Sequence, residues 1–322
     1  MVHILLERSI KLGNQSRVTE FTLLAIGYVS HFKPLIFTIF LIVFLMTVIG
    51  NSLIILVVRL NFSLHTPMYF FLSNLSFVEL CYTSTTIPNI LYGIIKGSGA
   101  ISFAGCFTQV YLITLCATAE CSLLAAMACD RYVAICRPLR YTVIISRTVC
   151  AYFAIFAWLS GVINSTVNTL VYSKFDFCGS NSMNRFYCEG QPVLRLSCSD
   201  TYISDVLATL SAAVFGVSFL LLILTSYSFI LRAILKMPSA SSRHKTFSTC
   251  TSHITVVVLY FGALTFMYLL PSNSSSQWLD LAVSIIYSTM TPMLNPIIYS
   301  LRNHQSHERW RQDMEMTGWR LG

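Results

Sequence analysis

The chain has 322 residues, 55% of them hydrophobic and only 11% charged, with a mean hydropathy of +0.67, which excludes an ordinary soluble domain and puts the chain in lipid. A net charge of +8 could suit nucleic acid, but no arginine-rich run with interleaved aromatics occurs, so a nucleic-acid partner is not expected.

Residues 1–20 are mixed and polar with no cleavable leader pattern, and residues 1–34 read as an outer N-terminal arm. A helix needs about 20 apolar residues to cross a bilayer. Seven runs meet that length: Leu35 to Val58, Pro67 to Tyr92, Phe107 to Cys129, Thr148 to Tyr172, Val206 to Leu231, Thr246 to Leu270 and Leu281 to Leu301. The first would act as signal anchor. The seven together (35–301) predict an all-α membrane protein, a seven-transmembrane helix bundle, followed by a tail at 302–322 in which Trp310 and Met314 among charges suit a short interfacial helix.

Orientation follows from charge. The segments after the first, third and fifth runs, together with the tail, hold thirteen of the 21 basic residues, among them Arg59, Arg131, Arg137, Arg140, Arg147, Arg232 and Lys236. Cytoplasmic loops carry such an excess, so the N-terminus is expected outside and the C-terminus in the cytoplasm. Asn14-Gln15-Ser16 then fits an N-glycan acceptor, and Asn273-Ser274-Ser275 does so in a very short loop. Asn61-Phe62-Ser63 and Asn74-Leu75-Ser76 match the same pattern only by chance, since they fall inside the cell or the membrane.

Of eleven cysteines, seven lie in helices or near the cytosol and read as small buried hydrophobes. Cys106, Cys178, Cys188 and Cys198 lie on the outer face, where they can oxidise, and four cysteines allow three pairings. Within the seven runs the only carboxylates are Glu79 and Glu120. Two ionised carboxylates there would repel, so one is protonated or a cation sits between them. Asn51 reads as helix-packing glue, and Asn295-Pro296 as a kink that frees a carbonyl.

Four strings carry a resemblance. Met127 to Tyr141 reads Met-Ala-Cys-Asp-Arg-Tyr-Val-Ala-Ile-Cys-Arg-Pro-Leu-Arg-Tyr, with Asp130-Arg131-Tyr132 where the third run leaves the apolar core. His65-Thr66-Pro67-Met68-Tyr69-Phe70-Phe71-Leu72 opens the second run, Arg243 to His253 opens the sixth, and Pro292 to Tyr299 with Leu301-Arg302-Asn303 closes the seventh. Over about residues 20 to 305 the chain resembles the odorant branch of the rhodopsin-like G-protein-coupled receptors. Three positions depart from that pattern. Glu79 stands where aspartate is commoner, Cys129 where tyrosine is usual, and Tyr260-Phe261-Gly262 inverts the usual Phe-Tyr-Gly.

The resemblance implies a Cys106–Cys188 bond, leaving Cys178 with Cys198, so that the long outer loop forms a lid. It implies a switch built from Asp130, Arg131, Tyr132, His253, Asn295, Pro296 and Tyr299, with the sixth helix swinging outward on activation. It implies a sodium ion at Glu79 and Glu120, a heterotrimeric G protein of the stimulatory type raising cyclic AMP, and residence in the plasma membrane of sensory cilia. The basic inner loops would meet that partner and membrane lipid.

A ligand site is expected in the outer half of the bundle. Helical spacing puts Ile113, Thr114, Ala117, Thr118 and Cys121 on one face. Alignment to the family adds Gly190, Ser211, Ala212 and Phe215, then Phe261, Leu264 and Tyr268, then Ile285 and Ser288. Nothing in that set is charged, Ile113 stands where amine receptors carry aspartate, and the seventh run has no lysine for retinal. The expected ligand is a small, weakly polar volatile, with Thr114, Thr118, Tyr268 or Ser288 supplying one hydrogen bond. An enzyme is disfavoured, because no His-Glu-x-x-His, Gly-x-Ser-x-Gly or P-loop occurs and Gly97-Ser98-Gly99 lacks a third glycine. Paired broken helices of a transporter are missing too.

Overall fold

Long apolar runs bounded by proline, serine and glycine produce the helices of this chain, whose computed structural model describes residues 18–28, 32–178 and 180–269, with 285, 288–289, 291–296 and 298 of the seventh span. Helix α1 (Lys33–Leu60) begins with Pro34, whose missing N–H is not needed in a first turn. Its buried side chains Phe40, Val43, Thr47, Asn51 and Val58 recur at helical spacing, while Leu35, Ile39, Ile42, Ile49 and Leu53 are exposed. In water that surface would be untenable; in hydrocarbon it is the surface a spanning helix presents to lipid.

Helix α2 (Pro67–Lys96) again opens on proline and stops at Gly97, whose φ of 70° is left-handed and closes the helix through N–H to Gly93 O at 2.9 Å. Helix α3 (Phe103–Cys136) is capped by the Ser102 hydroxyl on Gly105 N at 3.1 Å and runs 34 residues, about 50 Å at 1.5 Å per residue. It continues seven residues beyond the predicted exit at Cys129, so Asp130 and Arg131 lie within the helix and Asp130 is fully buried. Helix α4 (Arg147–Tyr172) is capped by Ser146 and buries a stripe of mostly small and polar residues, from Cys150, Ala154 and Ala157 through Ser165 to Asn168. At Gly161 a Cβ would stand 2.7 Å from Leu115 O, so α4 lies against the α3 backbone where only glycine fits.

Helix α5 spans Tyr202–Leu235 and is broken by a π-helical turn at Ala212–Val217. No proline marks that turn in the sequence. Helix α6 (Ala240–Leu269) begins six residues before the apolar run predicted from Thr246 and brings Arg243 into its first turns. Four of these helices, α1, α3, α4 and α5, are both long and apolar enough to cross a membrane, while α2 and α6 have the length, 30 residues each, with more polar faces. The described residues of the seventh span are helical.

The arm departs from expectation. Residues Glu20–Leu23 form strand β1, followed by a helical turn at Leu24–Tyr28, and together they bury Phe21, Leu23, Ala25 and Ile26. Strand β1 is the centre of a three-stranded sheet, antiparallel to β2 (Ala100–Ser102) and parallel to β3 (Ser182–Met183) of the long loop. Phe21 stacks on Phe103 at 5.9 Å and meets Phe177 edge-on at 5.5 Å. Gly99 accepts from Leu23 N at 2.8 Å, and a Cβ there would collide with the Leu23 carbonyl. Both disulfides lie at this end: Cys106–Cys188 with Cα atoms 5.4 Å apart and Cys178–Cys198 at 5.8 Å. Arm, loop and helix ends therefore share one apolar core containing Phe21, Ile26, Ile90, Cys106, Tyr187 and Val193.

Candidate functional site

The predicted functional residues fall into three layers along α3. Nearest the disulfide end, Gln109 donates to Thr85 O on α2 at 2.9 Å and accepts from Cys188 N at 2.8 Å, so one amide pins the loop to two helices. One to three turns further in, Thr118 receives a hydrogen bond from Asn164 Nδ2 on α4 at 2.9 Å. The Asn164 carbonyl oxygen accepts from Ser211 on α5 at 2.8 Å and from Asn168 at 2.9 Å. Asn168 in turn accepts from the Tyr172 hydroxyl at 3.1 Å, and the Tyr172 ring lies where a Cβ on Gly190 would be, 2.8 Å away. Thr118 and Ser211, separate in sequence, thus belong to one network organised by Asn164, Asn168 and Tyr172, and Gly190 packs against the Tyr172 ring at its end.

Helix α6 joins at the same level. Tyr260 is fully buried, donates to Ala117 O at 2.8 Å and accepts from Cys121 Sγ at 3.4 Å. Its neighbour Phe261 is also buried, with Leu264 and Ile113 packed around the same core. In the inverted Tyr-Phe-Gly string, the tyrosine is thus the ring hydrogen-bonded to α3. Phe215 packs on Phe219 at 6.2 Å just past the start of the π-helical turn, while Ala212 is exposed. Thr114 donates to Val110 O at 2.8 Å, Thr118 to Thr114 O at 2.8 Å and Ser288 to Ile285 O at 3.1 Å. Each of these hydroxyl protons is thereby engaged within its own helix, leaving lone pairs as the group it offers outward. The Tyr268 side chain, Tyr299 and Asn14 lie outside the described residues.

The middle layer is polar and buried. Asn295 donates to the Glu79 carboxylate, and Glu79 and Glu120 are both buried. Glu120 Oε1, Asn295 Oδ1 and Asn51 Oδ1 are buried without a partner among the described residues. The Glu120 oxygen and the amide oxygen of Asn295, whose nitrogen bonds Glu79, are hard donors of the kind a cation such as sodium takes. Among the described residues no three His, Cys, Asp or Glu side chains converge on one point, which gives no cage for a transition metal. Asn51 ties α1 to the seventh span by donating to Thr47 O at 3.0 Å and Pro292 O at 3.1 Å, and a Cβ on Gly50 would stand 3.1 Å from the Pro296 side chain.

At the basic end, Arg131 pairs with the buried Asp130 at 3.0 Å, and Tyr141, in the turn after α3, donates to the same carboxylate at 2.6 Å. Burial and the adjacent Asp130 push the Tyr141 phenol well above its ordinary range, so it stays a donor at any physiological pH. Tyr132 packs against Phe229 of α5 at 5.8 Å. His253 of α6 is completely buried, with Nε2 3.1 Å from Leu124 O and Nδ1 2.7 Å from the Tyr227 hydroxyl. A carbonyl can only accept, so Nε2 carries the proton and Nδ1 is left to accept from Tyr227. One imidazole therefore joins α3, α5 and α6.

A family model described as Olfactory receptor matches residues 40–314. The chain belongs to the olfactory receptor family. It is 45% identical over 302 residues to olfactory receptor 11L1 of Homo sapiens, covering 94% of both chains. It is 44% identical to olfactory receptor 5F1 of Homo sapiens, covering 91% of this chain and 93% of the relative. Against olfactory receptor 1f45 of Rattus norvegicus the figure is 44%, with 94% and 97% covered. The olfactory receptors are seven-helix, G-protein-coupled receptors of the plasma membrane and not enzymes, and this chain is one of them.

Gln109, Asn164, Asn168, Tyr227 and Tyr260 were not among the predicted switch or ligand residues of this olfactory receptor. The signal for the three amides was in the sequence, since each is a carboxamide in an apolar run, Gln109 in the third and Asn164 with Asn168 in the fourth. The rule that singled out Glu79 and Glu120 applies equally to an amide in hydrocarbon.

Proposed function

We propose that this olfactory receptor binds a small, weakly polar volatile molecule among Ile113, Thr114, Ala117 and Thr118 of α3, facing Ser211 and Phe215 of α5, Phe261, Leu264 and Tyr268 of α6, Ile285 and Ser288 of the seventh span and Gly190 of the loop. The observation that carries the reading is the pair of bonds from α6 to α3. Tyr260 holds Ala117 O beside the ligand residues, and seven residues earlier, about 10 Å along α6, His253 holds Leu124 O. A ligand that favours a different seating of Tyr260 changes the same helix pair that His253 closes toward Arg131. It thereby shifts the balance between two packings.

In the second packing α6 leaves α3, Arg131 exchanges Asp130 for a G protein of the stimulatory type, and cyclic AMP rises. The N-terminus lies outside and the basic end in the cytoplasm, supported by the distribution of Arg59, Arg131, Arg147 and Arg232. Sodium held by Glu79 and Glu120 with the amide oxygen of Asn295 would stabilise the first packing by neutralising the buried carboxylates. Its test is thermal stability of the purified receptor: sodium raises Tm over potassium in the native protein, and Glu120→Gln removes the difference.

Arg131→Ala decides the coupling role. Expected is normal surface expression with loss of odorant-driven cyclic AMP, measured over an odorant panel in transfected cells; unaltered signalling overturns it.

A further inference from the structure

A pit of about 380 Å³ opens on the outer surface of the bundle between α3 and α5. Cys129 and Tyr132 line it from α3, and Leu222, Thr225, Ser226 and Phe229 from α5. The Tyr132 and Phe229 rings meet at 5.8 Å at its basic end. Two polar side chains in this pit are left unengaged. Ser226 is only 9% exposed, and its hydroxyl has no hydrogen-bond partner among the described residues, whereas Thr225 and Ser228 beside it donate to the carbonyls four residues back at 2.7 and 2.8 Å. Cys129 is a half-buried free thiol. A buried hydroxyl without a partner is unfavourable by about 1 to 3 kcal/mol, so a molecule that brings one polar group completes the pit. Position 129 is also short of a ring, since cysteine stands there where tyrosine is usual in the family.

The dimensions restrict the occupant. Leu222 to Phe229 is seven residues, about 10 Å along α5, short of the roughly 15 Å that an acyl chain needs to run through one leaflet. An apolar cavity of about 150 Å³ already accepts benzene, so one substituted ring fits here, faced by two aromatic side chains and a sulfur. Leu222 and Phe229 are exposed on the lipid side, which leaves the pit open to the bilayer. We propose that this pit is a second ligand site, one that takes a small phenol from the bilayer, with its ring between Cys129 and Phe229 and its hydroxyl bonded to Ser226. The pit lies eleven residues from Thr118, about 16 Å along α3. It therefore rests neither on the outer ligand residues nor on coupling to a G protein.

The probe is 4-methylphenol. Full-length receptor in phosphatidylcholine nanodiscs is treated with N-ethylmaleimide, and the alkylation rate of each cysteine is followed by peptide mass spectrometry. At about ten times its dissociation constant, 4-methylphenol slows alkylation of Cys129 about tenfold and leaves that of Cys81 on α2 unchanged. Ser226→Ala weakens the protection by 4-methylphenol about fivefold, as the loss of one hydrogen bond of ordinary strength implies, and leaves that by toluene, the same ring without the hydroxyl, as it was. In the native receptor 4-methylphenol also raises Tm, and Cys129→Tyr, which supplies the wall with a phenol of its own, abolishes the rise. The Ser226→Ala comparison decides the matter if Cys129→Tyr does not fold. Three results overturn the site: no protection of Cys129, equal slowing at Cys81, which marks a change in the bilayer, or protection by 4-methylphenol that is undiminished in Ser226→Ala. Protection by decane as strong as by 4-methylphenol overturns it too, because the pit would then belong to a hydrocarbon chain.

Discussion

Asn164 makes more of the inner polar bonds than any predicted site residue. It donates to Thr118 and accepts from both Ser211 and Asn168. Asn164→Leu keeps the volume and leaves the Ser211 hydroxyl proton without its acceptor, while Thr118 and Asn168 keep their bonds to Thr114 O and Asn164 O; an orphaned buried polar group is unfavourable by about 1 to 3 kcal/mol. The expected outcome is a lower Tm and a shifted odorant rank order in a cyclic AMP panel, whereas Asn164→Asp, which keeps the acceptor, retains the bond to Ser211 and most of the stability. Tyr260→Phe keeps the ring and removes the donation to Ala117 O, worth about 1 kcal/mol net, together with the weaker bond accepted from Cys121 Sγ. Because that bond holds α6 to α3, the variant should raise signalling in the absence of odorant, read as basal cyclic AMP against surface expression. At the basic end, Tyr141→Phe leaves Asp130 with Arg131 alone, and its basal signalling should rise as well.

Among the elements, strand β1 is the one that hydropathy leaves unannounced. A four-residue strand stabilises little by itself, but Phe21 and Leu23 are buried under the loop and the Gly99 carbonyl receives Leu23 N. Gly99→Val would push β1 off the bundle, and exposed Phe21 should then be cleaved by protease in intact cells where the native arm resists. The two loop disulfides differ in reach, with sequence separations of 82 and 20. In the chain-entropy view the longer closure stabilises by about 4.5 kcal/mol and the shorter by about 3.3 kcal/mol. Cys106→Ser should therefore lower surface expression more than Cys178→Ser, and the reverse order would show that the loop's own fold matters more than its anchorage. The π-helical turn in α5 belongs at this scale too, since it displaces the register between Ser211 and Phe219, the stretch nearest the proposed ligand.

For the whole molecule, each spanning helix is specified by its own composition, because backbone groups in lipid must be satisfied within the segment. That makes the spans readable one at a time from apolar length, and the basic loops give the expected direction of threading. Antibody access to tags at the two termini of unpermeabilised cells should reveal the N-terminal tag and hide the C-terminal one. The strings around Arg131 and Asn295 were equally legible, since each is a local pattern, whereas the four loop cysteines allowed three pairings and only the resemblance chose one. What composition could not supply was partnership across helices. Nothing in the order of residues says that Asn164 meets Ser211, that Tyr260 and not Phe261 bonds to α3, or that Asp130 sits buried two helical turns before α3 ends. Insertion is decided by the transfer of each segment from water to hydrocarbon, a sum over residues that the sequence contains. The packing of one polar side chain against another depends on how far apart the helix axes settle, and glycines such as Gly161 and bends such as the π-helical turn set those distances only once the bundle is assembled.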